Sequence, residues 1–323
     1  MTASNPLNVL VLLPLTDEQR ARFEAGAPHA RYTYVTPTSP LDVGAPSAEQ
    51  VAEANVIVGN VSPALLGHAA NLRLLQLNSA GYDNYISAGT VPAAAALACA
   101  VGAYGQAVSE QLFAMTLSLM KRLPAYQDCQ RKHNWADLGP VTTFGGARVL
   151  VLGTGDIGGH FARLCAGMGA TVVGANRHGG EAPAGFSRVV TMDALAAELA
   201  EADVVASFLP STPATRGLAN EKFFSVCKPG AYFANGGRGD LVVADALVAA
   251  LESERLAGAA LDVTAPEPLP ADHLFWDTKN LLLTPHVSGG FHMACVLDNI
   301  VGIAAENLAH LAAGEPIRNF VRH

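Results

Sequence analysis

The chain has 323 residues, a formal net charge of −8 and a pI of about 5.6; half of its residues are hydrophobic and 15% are charged. That length exceeds one ordinary core and points to two domains. The acidic balance excludes a general nucleic-acid binder but leaves room for a small anionic substrate in a local basic pocket.

The opening "MTASNPLNVLVLLPL" lacks a basic leader region, and Pro14 breaks its apolar run, so it reads as a core strand rather than a signal peptide. No stretch is long and apolar enough to predict a membrane span. Apolar runs of strand length then alternate with helical patterns, which is the mark of an α/β fold with parallel sheets. The first third offers "NVLVLL", "ARYTYV", "NVIVG", "LRLLQLN" and "ALACAV", a sheet of about five strands. The amphipathic segment "QAVSEQLFAMTLSLMKRLPAY", from Gln106, predicts one long helix. A second series follows: "ARVLVLG", "ATVVGAN", "SRVVTM", "ADVVASFL", "GAYFANG", "AGAALDV" and "NLLLTPH". A helix from Phe291 to about Ala313, stopped by Gly314, comes after this sheet is complete and can return to the first domain. Cys99, Cys129, Cys165, Cys227 and Cys295 form no CxxC pair and no metal-spaced cluster. They predict free thiols in a reducing cytoplasm, with no metal site.

In "VLVLGTGDIGGHFARLCAGMGATVVGAN", Gly153, Gly155 and Gly158 sit between a strand and a helix at βαβ spacing, the pattern of a dinucleotide site. Gly153 permits the tight turn, Gly155 lets a pyrophosphate approach the backbone, and Gly158 lets the helix pack on the strand. The amides near Asp156 and Ile157 then face the phosphates from a helix N-terminus. The next strand runs into "VVGANRHGG", where a carboxylate for the adenosine ribose is expected and none stands. Asn176 and Arg177 offer an uncharged donor and a planar cation instead, with His178 beside them and Thr212 in a neighbouring loop. That set suits a 2′-phosphate, so NADP(H) is the expected cofactor, with NAD(H) also possible.

Three later strands end in polar groups: Arg238 in "FANGGRGD", Asp262 and Glu267 in "LDVTAPEPLP", and His286 in "LLLTPHVSGG". Parallel strands bring these ends to the edge that carries the glycine turn. The chemistry fits a 2-oxo acid. Arg238 holds a carboxylate and polarises the adjacent carbonyl, His286 gives a proton to the carbonyl oxygen, and Glu267 orients the imidazole.

These motifs, with "LPSTPATRGLAN" (209–220), "SAGYDNY" (79–85) and "AVSEQLFAMTLSLMKR" (107–122), make the chain resemble the D-isomer-specific 2-hydroxyacid dehydrogenases over nearly its whole length. The resemblance implies two doubly wound parallel-sheet domains: a Rossmann nucleotide domain, 102–290, inserted into a flavodoxin-like substrate domain, 1–101 with 291–323. It implies Arg238, Glu267 and His286 as the catalytic set and a substrate carboxylate on backbone amides at Ser79, Ala80 and Gly81. It further implies cofactor contacts from Val108, Leu209, Pro210, Thr212, Thr215, Gly236, Arg238, Asp262, His286 and Gly289. A homodimer paired through the nucleotide domains is expected, with the apolar face after Val108 as interface or core. Tyr82, Tyr104 and Trp135 read as core or interface before pocket. Glu267 stands where formate dehydrogenases of the superfamily carry Gln, which argues against formate. Candidate substrates run from glyoxylate and hydroxypyruvate to bulkier 2-oxo acids such as phenylpyruvate. A dinucleotide-sensing corepressor is the alternative reading, since the family's corepressor retains the same motifs.

Overall fold

A computed structural model describes residues 6–39 and 42–323; the first five residues of the opening segment lie outside them. In chain order come β1 (Asn8–Val11), α1 (Asp17–Ala25), β2 (Arg31–Tyr34), α2 (Ala48–Glu53), β3 (Val56–Val58), β4 (Leu74–Gln76), α3 (Asp83–Ala88) and β5 (Ala96–Ala98). Next are α4 (Gly105–Met120), α5 (Leu123–Arg131), β6 (Arg148–Leu152), α6 (Asp156–Gly167), β7 (Thr171–Asn176), β8 (Arg188–Thr191), α7 (Leu195–Glu201) and β9 (Val204–Ser207). The chain continues through α8 (Glu221–Val226), β10 (Ala231–Asn235), α9 (Ala244–Glu252), β11 (Leu256–Leu261) and β12 (Leu281–Leu283), and closes with α10 (Ala294–Ala313) and β13 (Phe320–Val321).

The chain divides into two compact units, Met1–Tyr104 with Gly290–His323, and Gly105–Gly289. The first holds a sheet in the order β13-β5-β4-β3-β1-β2, parallel except where β13 runs against β5. Its inner strands β3 and β4 are buried throughout, whereas the edge strand β2 alternates between exposed and half-buried residues. Parallel strands covered on both faces need such continuous apolar runs. Asn307 ties α10 to this sheet: it is fully buried, donates to Gln76 Oε1 at 2.6 Å and accepts the Arg318 amide at 2.7 Å.

The second unit is an all-parallel sheet in the order β12-β11-β10-β9-β6-β7-β8. The strand order reverses between β6 and β9, and in doubly wound sheets the crevice beyond the carboxyl ends at that point binds ligands. The face of α4 that carries Val108, Leu112, Met115 and Leu119 is buried within this unit, so it is core rather than free interface. The expected single helix through Tyr126 is in fact two. Arg122 turns left-handed at φ 54°, and Pro124 opens α5 in its first turn. A proline amide cannot bond to the turn before it, so an uninterrupted helix would lose a hydrogen bond there. α10 begins at Ala294 rather than Phe291, and the two-residue β13 is too short to leave a pattern. No helix among the described residues is long and apolar enough to cross a membrane. None of the five cysteines, all of them among the described residues, forms a disulfide, and burial pushes the Cys227 thiol up to about 12.

A buried carboxylate staples the second sheet. Glu198 on α7, 6% exposed, accepts Arg148 Nη2 at 2.8 Å and Arg188 Nη2 at 2.7 Å, joining the starts of β6 and β8. Burial alone raises a carboxyl pKa, but the two guanidinium bonds outweigh it and hold Glu198 below its ordinary value. A lowered folded-state pKa contributes stability above the unfolded-state value and loses it as pH falls through the folded-state one. Glu198→Gln is therefore expected to destabilise the protein by about 1.5–3 kcal/mol near pH 7 in urea unfolding. The gap to wild type should close as the solution is acidified; a gap independent of pH would contradict this account.

Candidate active site

The turn from β6 to α6 is built of glycines for two separate reasons. Gly153 has φ 93°, and a Cβ on Gly158 would strike the Gly153 carbonyl oxygen, so these two make the turn itself. A Cβ on Gly155 would meet nothing within 4 Å, so the fold does not require that glycine. Gly155 caps α6 without a side chain, leaving the first amides, at Asp156 and Ile157, uncovered by any side-chain cap. Amides of this kind at a helix N-terminus form an anion seat, and the space over Gly155 fits the pyrophosphate of a dinucleotide.

The end of β7 lies beside this turn. Asn176 Oδ1 accepts the amides of His178 and Gly179 at 2.9 and 2.7 Å, and its Nδ2 donates to Thr154 Oγ1 at 2.8 Å. Asn176 thus folds the loop and fastens it to the glycine turn. Arg177 and His178 are exposed, and no side-chain bond is found for Arg177 among the described residues. The loop after β9 is self-braced: Thr215 Oγ1 takes the Thr212 amide at 2.8 Å and donates to the Pro210 carbonyl at 2.6 Å. Leu209 presses on the next loop, where a Cβ on Gly237 would strike its backbone, and Val108 and Leu112 lie under Gly236.

The carboxyl ends of β10, β11 and β12 carry all four polar groups singled out by sequence. His286 Nδ1 lies 2.8 Å from Glu267 Oε2, and Glu267 Oε1 accepts the Thr264 amide at 3.0 Å. Gly239 packs against Thr264 so closely that a Cβ there would overlap the Thr264 carbonyl, which sets the Arg238 loop against the one that carries Glu267. Arg238 is half-buried, and its Nη1 donates to the Gly237 carbonyl at 2.9 Å. Asp240, which carries no motif in the sequence, accepts Ser211 Oγ at 2.5 Å and Arg216 Nε at 3.2 Å, which ties the 209–217 loop to the Arg238 loop.

Asp262 is 1% exposed, and its carboxylate is fully engaged. It accepts Thr284 Oγ1 at 2.5 Å, the amides of Val287 and Ser288 at 3.1 and 3.2 Å, and the Ser288 hydroxyl. The Asp262 carbonyl also takes the His286 amide at 2.7 Å. This residue therefore shapes the loop that presents His286, whose φ of 53° is left-handed, and Gly289 follows directly on that loop. An aspartate at the end of a strand, shortly before a polar motif, is the available signal in the sequence, but its partners are not readable from spacing.

In the first unit, the 79–81 loop is held by a reciprocal pair. The Asn60 amide donates to Asn78 Oδ1 at 2.6 Å, and the Asn78 amide donates to Asn60 Oδ1 at 3.2 Å. Ser79 Oγ donates to the Gly81 carbonyl at 2.6 Å, and the buried Tyr104 hydroxyl donates to the Asn78 carbonyl. Tyr104 is thus a brace for this loop, Tyr82 is exposed, and Trp135 is fully exposed.

Residues 113–288 match the family model of the D-isomer specific 2-hydroxyacid dehydrogenase NAD binding domain. A glyoxylate/hydroxypyruvate reductase B of Shigella flexneri is 30% identical over 310 residues, covering 91% of this chain and 94% of its own. A solved D-isomer specific 2-hydroxyacid dehydrogenase family protein of Aeromonas salmonicida has a TM-score of 0.85 at 32% identity, over 98% of this chain and 99% of its own. The NADPH-dependent glyoxylate/hydroxypyruvate reductase of Sinorhizobium meliloti, solved with NADP and sulfate, has a TM-score of 0.81 at 25% identity, over 98% of each chain.

The two roles of glycine in the β6–α6 turn separate by mutation. Gly158→Ala is expected to cost about 2 kcal/mol or more, a fall in Tm of several degrees in calorimetry. Gly155→Ala should leave Tm within about 1 °C and instead weaken dinucleotide binding in titration calorimetry. Equal losses of Tm in both variants would mean that Gly155 serves only the fold.

Proposed function

The chain belongs to the D-isomer-specific 2-hydroxyacid dehydrogenase family, and on that premise we propose that it works chiefly as a 2-oxo acid reductase with a preference for NADPH. It is an NAD(P)-dependent oxidoreductase of 2-hydroxy acids. The observation that carries the finer reading is the 2.8 Å contact between His286 and Glu267 on the sheet edge that also holds Arg238 and the glycine turn.

When bound, the reduced nicotinamide supplies a hydride to C2 of the oxo acid. Glu267 occupies His286 Nδ1, which leaves Nε2 as the ring nitrogen that gives its proton to the carbonyl oxygen. Arg238 holds the substrate carboxylate in a two-pronged bond and draws charge from the carbonyl. The amides of Ser79, Ala80 and Gly81, stiffened by Asn60, Asn78 and Tyr104, are the first unit's own contribution to carboxylate binding. In this reading residues 1–101 and 291–323 serve the substrate and 102–290 the nucleotide. The amides at Asp156 and Ile157 take the pyrophosphate over Gly155. Val108, Leu209, Pro210, Thr212, Thr215, Gly236, Asp262 and Gly289 line or shape the rest of the cofactor's seat.

The preference for NADPH rests on β7 ending without a carboxylate and on Arg177 standing exposed beside Asn176. The S. meliloti reductase, solved with NADP, adds support. A homodimer in the cytoplasm completes the proposal. α5 buries none of its residues, and Leu123 at its start and Trp135, four residues past its end, are exposed, so this arm is the face offered to a second copy. The buried thiols of Cys99, Cys165 and Cys227 suit a reducing compartment.

His286→Ala is expected to lower kcat by about 100-fold or more with 2-oxo acids, while titration calorimetry still reports dinucleotide binding. Wild-type turnover in that variant would remove the mechanism. Wild-type protein that binds the dinucleotide but turns over no 2-oxo acid would favour a sensor. Arg177→Ala should reduce kcat/KM for NADPH by about 10- to 100-fold, the worth of one or more charged hydrogen bonds. NADH should lose about threefold at most; equal losses would mean that Arg177 does not reach the phosphate.

A further inference from the structure

Beside the Glu267–His286 pair lies a cavity of about 650 Å³, within the second unit. Its apolar wall is formed by Pro268, Leu269, Trp276, Leu283 and Pro285. The other polar groups that line it are turned to partners of their own. The Thr264 hydroxyl donates to the Pro266 carbonyl at 3.0 Å, the Thr284 hydroxyl to Asp262, and Trp276 Nε1 to the Pro270 carbonyl at 2.7 Å. The Asp262 carboxylate is held by the loop that carries His286. Among the described residues no lysine or arginine lines the cavity.

We propose that this cavity receives the side chain of the substrate, and that the substrates are 2-oxo acids with a bulky apolar substituent, aromatic or branched aliphatic. The inference rests on the reductase reading of the Glu267–His286 pair. His286 forms part of the cavity wall, so a substrate whose C2 oxygen faces the imidazole has its substituent within reach of the apolar surface. Glyoxylate carries only hydrogen at that position and leaves the surface wet. The hydroxyl of hydroxypyruvate would give up water and find donors and acceptors already engaged, which disfavours it. A phosphorylated substituent would meet the Glu267 carboxylate, and no lysine or arginine among the lining residues offsets it. A phenyl or isobutyl group makes no such demand and displaces water from five apolar side chains.

The test is a panel of four 2-oxo acids, each with NADPH and with NADH. For the wild-type protein, kcat/KM for phenylpyruvate and 4-methyl-2-oxopentanoate should exceed that for glyoxylate and hydroxypyruvate by about tenfold or more. Trp276→Ala and Leu269→Gln should each lower the ratio of phenylpyruvate to glyoxylate by about tenfold. If Trp276→Ala does not fold, Leu269→Gln and the wild-type ratio carry the test. A wild-type preference for glyoxylate or hydroxypyruvate, or an unchanged ratio in the variants, overturns the cavity assignment and leaves the reductase reading standing. Turnover of none of the four acids with either cofactor overturns both.

Discussion

The buried carboxylate of Asp262 is the constraint on which the candidate site depends. His286 has a left-handed backbone, a conformation that costs a residue with a side chain about 1–3 kcal/mol. A short loop does not keep that geometry unaided. Asp262 holds it with bonds from two amides and two hydroxyls, and its own carbonyl takes the His286 amide. Hydrogen bonds to a charged acceptor are each worth about 1.5–3 kcal/mol, so together they exceed the strain. The imidazole is therefore directed at Glu267 by the backbone rather than by the ion pair. The pair itself is half-exposed, and exposed ion pairs are too weak to fold a loop.

The same logic runs across the neighbouring strand ends. Glu267 is set from two sides, by the Thr264 amide and by His286, and Thr264 is in turn pressed by Gly239. Gly239 lacks a Cβ because the Thr264 backbone occupies its place. Arg238, one residue before, is thereby fixed relative to Glu267. Asp240, one residue after, fastens the 209–217 loop through Ser211 and Arg216. Two loops with different proposed duties, one toward substrate and one toward dinucleotide, thus share three consecutive residues. A disturbance of either is expected to reach the other through that short link, because packed backbone does not deform gradually.

Twelve of the thirteen described strands answer to strand-length runs in the sequence, and the inner ones are the most legible because parallel strands buried on both faces announce themselves as apolar runs. What escapes is decided by single backbone events or by distant partners. The break at Arg122 depends on one left-handed residue before Pro124, inside a pattern that remains amphipathic on both sides. The face after Val108 looks the same in sequence whether it meets α6 or another chain, and only packing separates the two. At the site, residue types with chemistry at strand ends are visible. Asp240, Thr264 and the Asn60–Asn78 pair are not, since their importance lies in which atoms of other segments they meet. The family resemblance makes Asp262 a cofactor contact, yet its burial and its four hydrogen bonds from Thr284, Val287 and Ser288 make shaping the His286 loop its first duty in the fold.

The end of β7 shows how much a single atom exchange can carry. An aspartate at position 176 could accept the amides of residues 178 and 179 just as Asn176 Oδ1 does, so the turn does not demand asparagine. What only the amide supplies is the Nδ2 donor that grips Thr154 in the glycine turn, together with neutrality. Of the two, neutrality matters more to a 2′-phosphate seated there. Two unit charges 4 Å apart interact by about 4 kcal/mol at the dielectric of a protein surface, and a phosphate dianion doubles that repulsion from a carboxylate. The Thr154 bond, worth about 1 kcal/mol, compensates the loop for losing the tighter grip that a charged cap has on its amides. Arg177 projects into solvent from a loop that is already formed, so that under the proposed NADPH preference a cation would meet the phosphate without first having to fold its own support.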